Sequence, residues 1–266
     1  MRLCPLFSGS SGNSIYVGSE STHLLVDVGL ARKYMDEALN SIGLTGNDIN
    51  GILITHEHSD HIGGLGVFLR KYQIPVYATA KTIDRIHSWK YLGNVDESLF
   101  HAVEPDEGFE IGDITALPFH ISHDAADPVA YRFSKGDKKL AVCTDLGCYD
   151  DYTVSNLSGL DTLLLEANHN VRILEANPNY PYPLKRRILG DKGHLSNETS
   201  GKLLSSVLND NIKKVFLGHL SKENNEPYIA FDSVRDEINK ADNPYNANDF
   251  DICIAKRDCV SECFEF

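Results

Sequence analysis

The stretch that decides the fold is ILITHEHSDHIGG, residues 52–64, in which an apolar strand runs into a cluster of polar side chains. His56 and His58 lie two apart directly after the strand, so an extended backbone directs both imidazoles to the same side. Asp60 and His61 follow, and two glycines then allow a sharp bend into a helix. Neutral imidazole and carboxylate groups suit zinc, manganese or iron ions. Two pairs of donors at different points of one turn predict two divalent metal ions rather than one.

Further metal ligands must come from the ends of other strands, because one loop cannot saturate two ions. Three residues have this setting. His123 follows the apolar run ALPFHIS, Asp145 ends KLAVCTD, and His219 ends KKVFLGH. We therefore predict His123, Asp145 and His219 as the remaining ligands.

The rest of the chain alternates short β-rich runs with amphipathic helices, for example SIYVG (14–18), LGVFLRKY (65–72) and DTLLLEA (161–167). Two β-rich halves with flanking helices favour two packed sheets with the helices outside. Neither an internal repeat nor a low-complexity linker divides the 266 residues, so we expect a single domain over residues 1–266.

Composition and charge narrow the setting of the protein. No segment has the length and hydrophobicity of a signal peptide or a membrane span, and the six cysteines form no CxxC pair. We therefore expect a cytoplasmic protein with free thiols and no membrane partner. The net charge of −13 argues against broad electrostatic binding of nucleic acid, although two bound cations would make one site locally positive.

The ordered set His56-x-His58-x-Asp60-His61, followed by His123, Asp145 and His219, resembles the metallo-β-lactamase superfamily in order and in strand-end placement. The resemblance implies an α/β fold, a four-layered αβ/βα sandwich. It also implies that one ion is bound by the three residues His56, His58 and His123. The second ion would take Asp60, His61 and His219, and Asp145 would bridge the two. Asp27 matches the early aspartate that supports the histidine-rich loop in this superfamily.

Several shorter motifs are similar to the YycJ (WalJ)-like branch of the superfamily: SGSSGNS (8–14), HDAADP (123–128), LLLEANHN (163–170) and KGHLSNETS (192–200). This similarity implies a cytoplasmic, metal-dependent exonuclease that degrades DNA from 5′ to 3′, with DNA ends as its partner. Ribonuclease J inserts a large domain between the positions of Asp145 and His219. Only 73 residues separate them here, so that domain is absent.

The tetrapeptide GHLS occurs twice, and context separates the two copies. His219 ends an apolar strand and is the metal candidate. His194 follows a loop, and Ser196 is the expected N-cap of the next helix. A helix N-terminus beside a histidine favours an anion. We therefore predict that His194 and Ser196 bind phosphate and that His194 protonates the leaving oxygen, with a plain helix cap as the alternative.

Weaker candidates for substrate binding come from three other places. His169 follows a strand and is expected to line the site or to bond a ligand histidine, and Glu166 has the same two options. Arg186 and Arg187 belong to a basic segment that precedes the predicted phosphate site. Ser10 and Asn13 lie in a glycine-rich loop that offers further donors to phosphate, although a tight turn explains the glycines equally well.

These residues predict a phosphodiester hydrolase in which two ions about 3.5–4 Å apart share a hydroxide. Asp60 would bind metal and orient this nucleophile. A locally positive site in an acidic protein suits cleavage at a strand end better than internal cutting. The alternative enzyme is a small-molecule hydrolase of the same superfamily, a cyclic-nucleotide phosphodiesterase or a thioesterase. A metal-stabilised scaffold without activity is disfavoured, because the ligand set is complete.

Overall fold

The computed structural model describes residues 1–266, which form fourteen strands and nine helices. The strands are β1 (Arg2–Phe7), β2 (Ser14–Gly18), β3 (His23–Val26), β4 (Gly51–Leu53), β5 (Val76–Ala78), β6 (Phe100–Ala102), β7 (Phe109–Ile111), β8 (Ile114–His120), β9 (Val129–Lys135), β10 (Lys138–Cys143), β11 (Thr162–Glu166), β12 (Lys214–Gly218), β13 (Ile252–Ile254) and β14 (Phe264–Glu265). The helices are α1 (Arg32–Ser41), α2 (Ser59–Ile62), α3 (Leu65–Tyr72), α4 (Ala80–Ser88), α5 (Asp151–Leu157), α6 (Val171–Ala176), α7 (Tyr182–Leu189), α8 (Asn197–Val207) and α9 (Pro227–Lys240).

The chain divides into two compact units, and the first contains Met1–His120, Ala125–Lys138 and Lys256–Phe266. Its main sheet has seven strands in the order β14-β1-β2-β3-β4-β5-β6. Neighbouring strands are antiparallel from β14 to β3 and parallel from β3 to β6. Because β3 and β4 are parallel neighbours, the residues that follow them emerge at the same edge of the sheet. This edge carries Asp27 and the histidine-rich loop.

Helices α1 and α3 contribute their apolar faces to the core of the first unit. Met35 and Leu39 on α1 and Phe68 and Leu69 on α3 are at most 1% exposed and belong to one hydrophobic cluster. Each such side chain contributes about 1.5–3 kcal/mol to folding. The sequence predicted α3 with its observed bounds, and the helix ends where Gln73 adopts a left-handed conformation and bonds back to Leu69.

The remaining strands of the first unit, β7, β8 and β9, form an antiparallel meander. The turn predicted at Gly112-Asp113 joins β7 to β8. Tyr131 on β9 is buried, and its hydroxyl donates to the carbonyl of Ile54 at 3.0 Å. This bond connects the meander to Ile54, two residues before the first histidine of the histidine-rich loop.

The second unit contains Ile121–Asp124 and Lys139–Ala255. Its four strands are parallel in the order β13-β12-β11-β10. Strands β11 and β12 are buried along their whole length, as is usual for parallel strands. The carboxyl ends of parallel strands share one edge, where ligands commonly bind. Asp145, Glu166 and His219 lie at or just after these ends.

Several boundaries differ from the expectations drawn from the sequence. The run HLLVDVG was expected to be one strand, but β3 ends at Val26 because Asp27 has a φ of +64°. Helix α9 begins at Pro227, before the expected segment VRDEINKA (234–241). Helices α5, α6 and α7 were not expected at all. None of the helices combines the length and hydrophobicity needed to cross a membrane. The single domain remains a prediction.

Candidate metal and phosphate site

In the first unit, the buried carboxylate of Asp27 organises the histidine-rich loop. Asp27 accepts hydrogen bonds from the backbone N–H of Thr55 at 2.9 Å and from the Thr55 hydroxyl at 2.8 Å. Its Oδ2 atom also lies 2.7 Å from Nδ1 of His61. This contact favours the tautomer with the proton on Nδ1, so that Nε2 of His61 carries the lone pair a metal ion needs. Burial raises the pKa of Asp27, and the hydrogen bonds from His61 and Thr55 oppose that rise.

The loop also brings candidate donor atoms close to one another. Oδ2 of Asp60 lies 3.4 Å from Nε2 of His61. Two ligand atoms bound to one zinc-sized ion at 2.0–2.2 Å in tetrahedral geometry are about 3.4 Å apart, so this pair fits one ion. The imidazole of His56 lies 4.6 Å from that of His58 and 4.1 Å from that of His61, between ring centroids. His56 and His58 therefore lie on one side of the loop, as their spacing predicts.

Asn13 contacts this pair of donors. The side-chain amide nitrogen of Asn13 lies 3.3 Å from Oδ2 of Asp60 and 3.2 Å from Nε2 of His61. Its side-chain oxygen Oδ1 accepts a hydrogen bond from the N–H of Gly9. Gly29 allows the backbones to approach here, since a Cβ atom on it would lie 1.8 Å from the carbonyl oxygen of Asp60. Asn13 is 3% exposed, whereas Ser10 is exposed in the preceding turn. The amide of Asn13 thus contacts two of the predicted metal ligands.

In the second unit, Glu166 plays the organising role, and it contacts two histidines. Its Oε1 atom lies 2.8 Å from Nδ1 of His194 and 2.8 Å from Nδ1 of His219. Its Oε2 atom accepts from the backbone N–H groups of Leu146 and Leu195, both at 3.1 Å. Burial alone would raise the pKa of this carboxyl, but the two histidines lower the pKa of Glu166 to about 2. Glu166 therefore carries a negative charge that holds both rings.

Asp145 faces the opposite nitrogen of His219. Its Oδ1 atom lies 3.4 Å from Nε2 of His219 and 3.9 Å from Nε2 of His123. Nδ1 of His123 lies 3.1 Å from the carbonyl of Gly193, which favours a lone pair on Nε2. The spacing of Asp145 and His219 again equals that of two ligands of one ion, about 3.4 Å. Donor atoms of Asp145, Glu166, His194 and His219 all lie within 4.8 Å of one another. Both carboxylate oxygens of Glu166 lie within 3.1 Å of protein nitrogen atoms.

Three of the residues at these strand ends have an uncommon backbone conformation. Asp27, Asp145 and His219 have φ values of +64°, +62° and +56°. The left-handed region of φ/ψ space costs a residue with a side chain about 1–3 kcal/mol, and such strained residues cluster at functional sites. The strain therefore supports a functional role for the strand ends that the sequence singled out.

His194 and Ser196 lie where the sequence predicts a phosphate site. Ser196 caps α8, since its Oγ atom accepts from the N–H of Thr199 at 3.1 Å, which confirms the predicted N-cap. The N–H groups of Asn197 and Ser200 also have partners, the carbonyls of His169 and Ser196. The helix end is thus largely satisfied within the protein. His194 keeps 18% of its side chain exposed while Glu166 holds its Nδ1, so phosphate binding here depends mainly on His194.

His169 has an unusual environment. It is 1% exposed, and neither of its ring nitrogens has a hydrogen-bond partner. Burial lowers the pKa of His169 to about 4. The expected bond to a ligand histidine is made by Glu166, not by His169. A buried histidine with two unsatisfied nitrogens is uncommon.

Arg186 and Arg187 lie on α7, the helix that was not expected. Arg187 forms a bidentate ion pair with Asp124, which directly follows the candidate ligand His123. Arg186 is exposed.

Sequence reasoning gave Glu166 only a secondary role. Its position at the end of the apolar run TLLLE, the same placement that identifies Asp145 and His219, was the signal that could have shown its importance.

Comparison with known proteins shows which family the chain resembles in sequence. Residues 8–219 match the family model described as the metallo-beta-lactamase superfamily. The chain is 44% identical over 237 residues to the exodeoxyribonuclease WalJ of Streptococcus pneumoniae, covering 89% of this chain and 88% of that protein. It is 42% identical over 231 residues to the exodeoxyribonuclease YycJ of Bacillus anthracis, covering 86% of each.

Solved structures of lower sequence identity share the fold. Zinc-bound PqqB from Methylobacterium extorquens superimposes with a TM-score of 0.72, covering 98% of this chain and 100% of that chain at 15% identity. YhfI from Bacillus subtilis gives a TM-score of 0.69, covering 98% of this chain and 99% of that chain at 17% identity. These likenesses confirm the predicted fold class, an α/β sandwich of the metallo-β-lactamase type.

Proposed function

The chain belongs to the metallo-β-lactamase superfamily, in its YycJ/WalJ-like branch, and we propose that it is a metal-dependent exonuclease that degrades DNA from the 5′ end. One observation carries the phosphodiesterase chemistry: in each unit, a buried carboxylate holds Nδ1 of a histidine whose Nε2 lies 3.4 Å from the carboxylate oxygen of a second acid. This arrangement prepares pairs of ligand atoms at the separation that one small divalent ion requires.

The proposed ligands are the seven residues predicted from the sequence. His56, His58 and His123 would hold one ion, Asp60, His61 and His219 the other, and Asp145 would be shared. Zinc, manganese and iron all accept this donor set. When bound, the two ions supply Lewis acidity and lower the pKa of water to about 7.

The chain's own side chains then do the remaining work. Asp27 and Glu166 fix the orientation of His61 and His219. Asp60 accepts a hydrogen bond from the attacking water and so orients it. His194 is partly exposed and anchored through Nδ1, so its other nitrogen is placed to give a proton to the leaving oxygen of the DNA.

Substrate contacts are proposed for Ser10, Asn13, His169, His194, Ser196, Arg186 and Arg187. Arg187 and Asn13 act in part through Asp124 and the ligand pair that they contact. The net charge of −13 makes non-specific binding along a duplex unfavourable, so we propose that DNA ends are the preferred substrate.

The test is a cleavage assay with DNA labelled at the 5′ or the 3′ end, in single-stranded and duplex form, with added Mn²⁺. We expect release of mononucleotides from the 5′ end, abolition by a chelator, and loss in Asp145→Asn. Hydrolysis of a thioester or a cyclic nucleotide without any release of mononucleotides would instead support the small-molecule alternative and contradict the proposal.

A further inference from the structure

Helix α7 presents an exposed stripe of three side chains, of which only Arg186 is among the substrate contacts proposed above. The helix has eight residues, none of which is buried. Tyr182 is 71% exposed, Leu189 is 41% exposed, and Arg186 is also exposed. Residues at i, i+4 and i+7 lie on one face of a helix, so these three side chains form a continuous line. We name Tyr182, Arg186 and Leu189 the α7 stripe.

The other cations of α7 are engaged within the second unit. Nζ of Lys185 donates to the carbonyl of Glu175 at 2.7 Å, and Arg187 binds Asp124. Arg186 has no ion-pair partner, although the chain carries 38 acidic residues against 25 basic ones. The stripe is therefore a cation flanked by an aromatic and an aliphatic side chain, in a protein whose net charge is −13.

The stripe is joined to the candidate site by short backbone contacts at the end of α7. The N–H of His194 donates to the carbonyl of Ile188 at 3.0 Å, and the N–H of Gly193 donates to that of Gly190 at 2.8 Å. A Cβ atom on Gly193 would lie 2.2 Å from the carbonyl oxygen of Ile188, so only glycine fits. The carbonyl of Gly193 in turn lies 3.1 Å from Nδ1 of His123. Helix α7 is thus rigidly placed beside His194 and His123.

We propose that the α7 stripe binds single-stranded DNA a few nucleotides from the cleaved bond, with Arg186 on a phosphate and Tyr182 stacked on an unpaired base. The inference rests on the proposed function and adds a substrate preference to it. From Tyr182 to Leu189 the helix is about 10 Å long, which spans about three nucleotides at 3.4 Å each. Aromatic side chains bind single strands by stacking on bases, and the face of a paired base is covered by its neighbours. The stripe therefore selects a frayed or single-stranded end.

The test uses Tyr182→Ala, with Tyr182→Phe as the variant that keeps the ring. For single-stranded DNA of twelve nucleotides, we expect Tyr182→Ala to raise KM by about 5- to 150-fold, the cost of one lost base stack, with kcat unchanged. With the stripe a few nucleotides from the cleaved bond, as proposed, a dinucleotide would not reach Tyr182, so its kinetics should not change. Tyr182→Phe keeps the aromatic ring, so its KM should equal that of the wild-type chain. Arg186→Ala should reduce the slope of log affinity against log salt by about one.

A matched control is available in the first unit. Tyr91 is 65% exposed, and Nζ of the adjacent Lys90 lies 4.7 Å from its ring centroid. This pair also combines an exposed tyrosine with a cation, but it is not part of the α7 stripe. Tyr91→Ala should therefore leave all kinetic constants unchanged. An equal rise in KM for Tyr91→Ala would contradict a specific role of the α7 stripe.

Binding is also measured without cleavage, so that failure of the inference and failure of the proposed function can be told apart. A set of single-stranded DNAs carries 2-aminopurine, each at a different position, and chelator prevents cleavage. The wild-type and Tyr182→Phe chains should quench the fluorescence of 2-aminopurine at one position. Tyr182→Ala should not quench it. The inference is overturned by identical quenching in all three chains, or by binding of the stripe to anionic lipid vesicles but not to DNA. Quenching at one position without hydrolysis of any phosphodiester would support the stripe and contradict only the nuclease proposal.

Discussion

Asp27 in the first unit and Glu166 in the second perform the same task in different ways. Each is a buried acid that directly follows or ends a strand, and each contacts Nδ1 of a candidate ligand histidine at 2.7 or 2.8 Å. Asp27 contacts one histidine and takes its other bonds from a single residue, Thr55. Glu166 contacts two histidines and two backbone N–H groups. The pKa of Asp27 is raised, whereas that of Glu166 is lowered to about 2.

The difference shows how the surroundings of a carboxylate decide how firmly it holds its charge. Both groups are desolvated, and desolvation favours the neutral acid. At Glu166, the positive ends of two imidazoles and two peptide N–H groups outweigh that cost. At Asp27, one imidazole and the donors of one threonine do not. Glu166 therefore depends on its charge, while Asp27 depends on the geometry of its hydrogen bonds.

The largest expected effect comes from Glu166→Gln. The amide keeps the shape of the side chain but presents an N–H₂ group to donors and removes the charge that both histidines contact. Loss of one such contact typically costs 10–100-fold, so loss of two should lower kcat/KM by about 10³-fold, or about 4 kcal/mol. Steady-state cleavage of single-stranded DNA and metal content per chain measure this effect.

The exposed acid Glu223 offers a control in the same unit, and Glu223→Gln should cleave DNA at the wild-type rate. If Glu166→Gln lost less than tenfold and kept its metal, the charge of Glu166 would not be what positions the histidines.

His169 extends the comparison to a buried ionisable group without hydrogen bonds, since neither of its ring nitrogens has a partner. Burial lowers the pKa of His169 to about 4, below the value of about 6.5 in an unfolded chain. The unfolded state therefore binds more protons between these two values. The neutral ring contributes its full stability above pH 6.5, and about 3 kcal/mol is lost as the pH falls to 4. Urea unfolding across this range, compared with His169→Phe, measures the difference. Equal losses in both chains would contradict this assignment.

How far the sequence predicts the site follows from the same residues. His56, His58, Asp60 and His61 share one short loop, so their spacing alone was sufficient to group them. Asp145 and His219 were identified because a polar residue after a buried parallel strand emerges at the functional edge. The link between Glu166 and two histidines was not visible, because it joins residues 28 and 53 positions apart.

Local structure was also missed where the usual signals are weak. Helix α7 has no buried residue, and prolines at positions 181 and 183 interrupt its start, so the segment was described only as basic. The left-handed conformations of Asp27, Asp145 and His219 escaped notice because non-glycine residues rarely adopt them. A positive φ at a residue with a side chain depends on contacts that are distant in the sequence, so three isolated residues do not reveal it.

A smaller effect is expected for Asp27→Asn. The substitution removes a charge that burial already disfavours, and it affects one histidine, so kcat/KM should fall by about 10–100-fold. Metal content and DNA cleavage measure the loss, side by side with Glu166→Gln. A loss equal to that of Glu166→Gln would show that the number of histidines held by the acid does not matter, and the contrast between the two units would fail.

The smallest expected effect is that of Thr55→Val, which separates hydrogen bonding from charge at Asp27. The hydroxyl of Thr55 contacts Asp27 at 2.8 Å and lies 3.2 Å from Nδ1 of His61, while the backbone N–H of Thr55 bonds the same carboxylate independently. Valine keeps the shape and the backbone bond, so we expect a loss of about 1 kcal/mol in the free energy of unfolding and less than tenfold in kcat/KM. Urea unfolding and DNA cleavage measure both quantities. If Thr55→Val matched Asp27→Asn in activity, the hydroxyl rather than the carboxylate would be what orients His61.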